Sequence, residues 1–192
     1  YTWQPGGSVA VSIAINPTIT TTYTVTGASA AGCTATATQV MSVNPNPTII
    51  ASAASPTACT GATLNLTASG GNTYTWTPGS LTGSQVAVTI NNTTTFTVTS
   101  TSSLGCTGQN TVTVTAVPLP TVTATTSSAT ICLGNCATLT ANGASTYTWL
   151  PMASTGFTAV VCPTVNSTYT VVGLSAAGCP GATVVSVNVT NG

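Results

Sequence analysis

The tripeptide Tyr-Thr-Trp occurs at Tyr1-Thr2-Trp3, Tyr74-Thr75-Trp76 and Tyr147-Thr148-Trp149, each copy 73 residues from the next. Other marks keep the same step: Pro5, Pro78 and Pro151; Tyr23, Phe96 and Tyr169; Gly32-Cys33, Gly105-Cys106 and Gly178-Cys179; and the pair Cys59 and Cys132. A period held without any insertion identifies a tandem array, in which one small supersecondary unit recurs. On this register residues 1–45 form the C-terminal part of a truncated repeat, and residues 46–118 and 119–192 form complete ones. The junctions, Asn44-Pro45-Asn46-Pro47 and Pro118-Leu119-Pro120, are short and proline-bearing, so they read as semi-rigid spacers. The expected arrangement is an extended rod, excerpted from a longer covalent array.

Each repeat reads as β-strands. In the second, Thr63 to Ala68 alternates through Leu64 and Leu66, and Thr73 to Thr77 carries Trp76 up to the stop at Pro78-Gly79. Gln85 to Ile90 alternates through Val86 and Val88, Thr94 to Thr99 through Phe96 and Val98, and Thr111 to Val117 through Val112 and Val114. The first repeat shows the same habit at Val11-Ser12-Ile13-Ala14-Ile15. Short alternating runs punctuated by Gly, Asn and Pro predict an all-β sandwich, and no stretch has a helical period. A unit of this size has a small core, so Trp3, Trp76 and Trp149, with Tyr23, Phe96 and Tyr169, are expected to be its aromatic mass. The rival reading of the aromatics is a sugar-stacking platform. A lone Trp at the same place in every alternating strand favours the core.

The chain has no Asp, Glu, Lys, Arg or His. Nucleic-acid binding needs cationic side chains, calcium modules need carboxylates, and general acid–base catalysis needs titratable groups. No enzyme activity, cofactor or metal is therefore expected. Apolar residues alternate with Thr or Ser, and no run reaches the length of a spanning helix, so a membrane-spanning reading fails. The 46 threonines supply a β-favouring, hydroxyl-bearing surface. That surface lacks the lysines that usually protect sheet edges, which points either to an anchored, extended and glycosylated chain or to lateral self-association. Asn65, Asn91, Asn92, Asn166 and Asn188 stand in N-x-Ser/Thr contexts. Threonine ladders can also suit ice binding, but twisted sandwiches broken by Gly and Pro supply a flat array poorly.

Seven cysteines in units this small imply structural disulfides and an oxidising, extracellular setting. Cys59 to Cys106 and Cys132 to Cys179 share a 47-residue spacing, which favours bridges within the repeats. Pairing Cys33 with Cys59 and Cys106 with Cys132, each 26 residues apart, would instead lock the junctions. Cys136 and Cys162 replace Thr63 and Thr89 of the second repeat. Those two places lie on neighbouring strands of an immunoglobulin-like sandwich, so a second bridge fits there. Cys33 is the odd cysteine, expected to be unpaired by truncation.

The sets Cys132-Leu133-Gly134, Ala137 to Gly143, Tyr147-Thr148-Trp149, Tyr169-Thr170-Val171 and Gly178-Cys179, with their counterparts in the second repeat, resemble the Ig-like and PKD-like tandem repeats of giant secreted surface adhesins of Bacteroidetes-type bacteria. That class includes gliding adhesins exported by the type IX route. The resemblance covers essentially the whole chain and implies a β-sandwich fold, an extracellular place at the cell surface or in a secreted filament, and a spacer role. No catalytic residue transfers from it, and the lack of acidic residues departs from many related repeats. The expected function is a structural stalk or filament segment whose partners are neighbouring repeats. The alternative is a glycan- or surface-binding module acting through exposed Thr and Asn groups.

Overall fold

A computed structural model describes residues 1–191; Gly192, at the end of the third expected repeat, lies outside the described residues. Among the described residues all helical or strand structure is β. Four strands come first: β1 (Thr2–Gln4), β2 (Ser8–Val9), β3 (Thr21–Ala28) and β4 (Thr34–Met41), hydrogen-bonded in the order β2-β1-β3-β4. β3 and β4 form an antiparallel hairpin in which Thr21 faces Met41 and Ala28 faces Thr34.

Eight strands follow: β5 (Ile50–Ala53), β6 (Thr57–Cys59), β7 (Ala62–Ser69), β8 (Thr73–Thr77), β9 (Leu81–Thr82), β10 (Gln85–Ile90), β11 (Thr94–Thr101) and β12 (Thr107–Val117). They make a three-stranded sheet, β10-β7-β5, and a five-stranded sheet, β6-β12-β11-β8-β9. Alternation decides which side chains enter the core. Along β10, Val86, Val88 and Ile90 are buried while Gln85, Ala87 and Thr89 are exposed.

The last eight strands repeat this plan: β13 (Thr123–Thr126), β14 (Thr130–Cys132), β15 (Ala137–Asn142), β16 (Thr146–Leu150), β17 (Ser154–Thr155), β18 (Thr158–Val161), β19 (Ser167–Leu174) and β20 (Pro180–Thr190). All but β15 begin 73 residues after their counterparts. One sheet is β13-β15-β18 and the other is β14-β20-β19-β16-β17. Ala137, Leu139 and Ala141 of β15, with Ala159 and Val161 of β18, pack against Trp149, Tyr169, Val171 and Val187 from the five-stranded sheet. In immunoglobulin order β13, β15 and β18 are strands A, B and E, and β16, β19 and β20 are C, F and G. The fold is an all-β sandwich of that kind.

The chain has two compact units: Tyr1–Ala51 with Ala68–Ser84 and Thr97–Thr111, and Ser52–Thr67 with Gln85–Phe96 and Val112–Gly192. The division passes within β5, β7, β11 and β12. The first unit holds the four-stranded sheet; the second holds the last eight strands.

Candidate functional site: the paired cysteines and an open sheet

One turn recurs three times, and each copy presents a cysteine. In Ser102 to Cys106 the Ser102 hydroxyl accepts the Cys106 N–H at 3.2 Å, the Ser102 N–H donates to the Cys106 carbonyl at 2.8 Å, and the Gly105 N–H donates to the Ser102 carbonyl at 3.0 Å. Ser29 to Cys33 and Ser175 to Cys179 make the same bonds. Gly32, Gly105 and Gly178 sit at φ of +81°, +81° and +79°, a left-handed conformation that glycine adopts without strain. This is why Gly precedes Cys in all three copies.

The second class of cysteine ends a short parallel strand. β6 runs parallel to β12, with Cys59 opposite Val117, and β14 runs parallel to β20, with Cys132 opposite Thr190. These pairings correct the within-repeat bridges expected from spacing. Cys132 lies beside the last residue of β20 and Cys179 precedes its first, so the whole strand separates them. That is about 33 Å at strand rise, whereas a disulfide needs Cα atoms within about 7 Å. Cys59 and Cys106 stand at opposite ends of β12 for the same reason.

Cys59 is instead bonded to Cys179, 120 residues on, with Cα atoms 5.5 Å apart. The partner belongs to the next copy of the sequence repeat. The rival junction pairs are not formed either: Cys33 and Cys132 are exposed free thiols, and Cys106 is a half-buried one. The Cys106 S–H points at the Asn44 carbonyl, 3.6 Å away. Cys136 is bonded to Cys162. Their counterparts Thr63 and Thr89 face each other across β7 and β10 and share a 3.1 Å hydroxyl bond, so the third repeat has a covalent link where the second has a polar pair.

Trp76 and Trp149 have no exposed surface, and Phe96 and Tyr169 are buried. Trp3 and Tyr23, expected core aromatics of a repeat that lacks its opening strands, are only half-buried. Their sheet has one bare face. Residues 12–17, the counterpart of β10, form no strand, because β10 is held by β7 and the described residues contain no β7 for this sheet. Met41 is 39 % exposed where Val114 and Val187 are at 0 %. All three indole N–H groups still donate to a carbonyl seven residues on: Ala10 at 3.0 Å, Gly83 at 3.1 Å and Gly156 at 3.1 Å.

Sequence reasoning missed the tyrosine of the recurring tripeptide. The Tyr74 hydroxyl accepts the Gly71 N–H at 3.0 Å and donates to the Gly71 carbonyl at 2.8 Å. Tyr147 does the same with Ala144. The signal was present, since Tyr recurs as faithfully as Trp. An open groove of about 510 Å³ lies between Tyr147 and Phe157, with Thr148, Thr155 and Gly156 in its walls. Its counterpart beside Tyr74 has Ser84 in place of the phenyl ring.

No protein-family model matches the sequence, and no curated protein does. Solved structures resemble it at low identity. One, described as giving structural insight into host cell surface retention of a 1.5-MDa bacterial ice-binding adhesin, has a TM-score of 0.43 and 18% identity over 89% of this chain and 74% of that one. A Ca2+-stabilized adhesin that helps an Antarctic bacterium reach out and bind ice has a TM-score of 0.44 and 16% identity, over 89% of this chain and 57% of that one. Immunoglobulin domains 1–5 of Sidekick-1 give 0.32 and 13%, over 99% and 51%. No helix among the described residues is long and apolar enough to cross a membrane.

Proposed function

We propose that this chain is a non-enzymatic structural segment of a long extracellular repeat protein, a stalk or filament of an adhesin or surface fibre. The observation that carries this reading is the bond from Cys59 of one sequence repeat to Cys179 of the next. Such a link resists pulling, and it persists in an oxidising setting outside the cell. On this reading residues 46–118 and 119–192 are the repeating mechanical units, their partners are neighbouring repeats, and the threonine faces allow lateral association. Attribution to a Bacteroidetes-type adhesin exported by the type IX route rests on the sequence resemblance.

Stretching single molecules by their ends tests the role. The bond hides 120 residues from extension, about 400 Å of contour at roughly 3.5 Å per residue. Reductant is expected to release that length. Equal extension with and without reductant would sink the stalk reading. The exposed Phe157 beside Tyr147 favours a second reading, a glycan contact unique to the third repeat. It requires that Phe157→Ala abolish retention on a glycan surface while leaving the melting temperature unchanged.

A further inference from the structure

We propose that the bare sheet β2-β1-β3-β4 is a docking site for the opening segment of a further repeat of this sequence type, locked in place by a disulfide to Cys106. The proposal concerns a surface and holds whether or not the molecule serves as a stalk.

Three places in the first compact unit point to the same occupant. The first is the end of β4. β12 and β20 each extend three residues further than β4, and those residues pair with β6 and β14. Their counterparts in the open sheet, Ser42, Val43 and Asn44, form no strand. Val43 is nevertheless held in place, its N–H donating to the Thr20 hydroxyl at 3.0 Å. Ala116 is held by Thr93 in the same way.

The second place is Cys106. A cysteine arriving on a strand like β6 would stand opposite Asn44, as Cys59 stands opposite Val117. The Cys106 thiol already lies 3.6 Å from the Asn44 carbonyl. Its counterpart Cys179 is bonded to the cysteine at that position.

The third is a groove of about 420 Å³ beside Tyr1, Gly27 and Ser29. At the matching places Tyr74 holds Gly71 against Ser100, and Tyr147 holds Ala144 against Gly173. The groove is where the last turn of an opening segment seats. The two opening segments within this chain, around β5 to β7 and β13 to β15, are already engaged in sheets of their own. The occupant is therefore a further segment of the same type.

Closing the bond is an exchange with a small-molecule disulfide. The two thiols give up two protons and two electrons, one S–S bond forms between the chains, and the S–S bond of glutathione disulfide is reduced to two glutathione thiols. The test incubates the full chain with a synthetic peptide of residues 46–72 in a glutathione redox buffer. A one-to-one adduct is expected, with the peptide cysteine mapped to Cys106. Amide exchange across Ser42 to Asn44 should slow about tenfold or more as these residues become paired, in the way Thr115 to Val117 pair with β6. A peptide with Cys replaced by Ser should still protect Ser42 to Asn44, and a Cys106→Ser chain should bind without forming the adduct. Three results would overturn the proposal: peptide spread evenly over Cys33, Cys106 and Cys132, exchange at Ser42 to Asn44 unchanged by peptide, or those residues already protected by a second copy of the chain.

Discussion

At the scale of single residues, the two complete repeats solve one packing problem in opposite ways. The second sets Gly71 against Ser100, and the third sets Ala144 against Gly173. The Ser100 hydroxyl is buried without a hydrogen-bond partner among the described residues. A buried unpaired polar atom costs roughly 1–3 kcal/mol, so Ser100→Ala should stabilise the chain by about 1 kcal/mol. Gly173→Ser should do the reverse. A Cβ there would lie 2.6 Å from the Ala144 Cβ and 2.8 Å from the Val122 Cγ2, and overpacking of this kind costs about 1–3 kcal/mol. Thermal melting of both variants checks the signs, and a destabilised Ser100→Ala would mean that its hydroxyl has a partner after all. The sequence hid this pair because Ser100 sits among threonines and serines that face solvent, and only the close approach of the Gly71 turn makes it special.

Strands were legible at the scale of elements, and their pairing was not. Alternation through Val86 and Val88, or Phe96 and Val98, marks a strand wherever the chain runs. It says nothing about where a strand is placed when its partner is absent, which is why Val11 to Ile15 alternates yet residues 12–17 form no strand. Cysteine partners were harder still. Equal spacing suggested bridges within repeats, but the direction of two three-residue strands decides the matter: β6 and β14 run parallel to their neighbours and carry Cys59 and Cys132 to the far end. The second bridge of the third repeat is a local device, and the second repeat supplies its control. Replacing Cys136 and Cys162 together by Thr should restore the hydroxyl pair seen at Thr63 and Thr89. The loss should be up to about 3.5 kcal/mol, the chain-entropy value for a 26-residue loop, read by denaturant unfolding. No loss would show that the unfolded chain is already restrained between these positions.

The absence of charge governs the whole molecule. Acid unfolding is driven mainly by side-chain carboxylates and histidines whose proton affinity differs between folded and unfolded states, and this chain contains neither. With no difference in bound protons, the slope of stability against pH is zero, so the melting temperature should stay level from about pH 4 to pH 7. Added salt should leave ion-pair stability untouched for the same reason, there being no oppositely charged side chains to screen. A calcium chelator should also have no effect, since no side-chain carboxylate is available to bind the ion. Thiol reductant should act differently. The Cys59–Cys179 bond closes a 120-residue loop, for which the chain-entropy estimate approaches 5 kcal/mol. Melting curves across pH, salt, chelator and reductant separate these terms in one experiment. A protein that melts early in chelator but not in reductant would owe its strength to a bound ion, and the covalent account of its stability would fail.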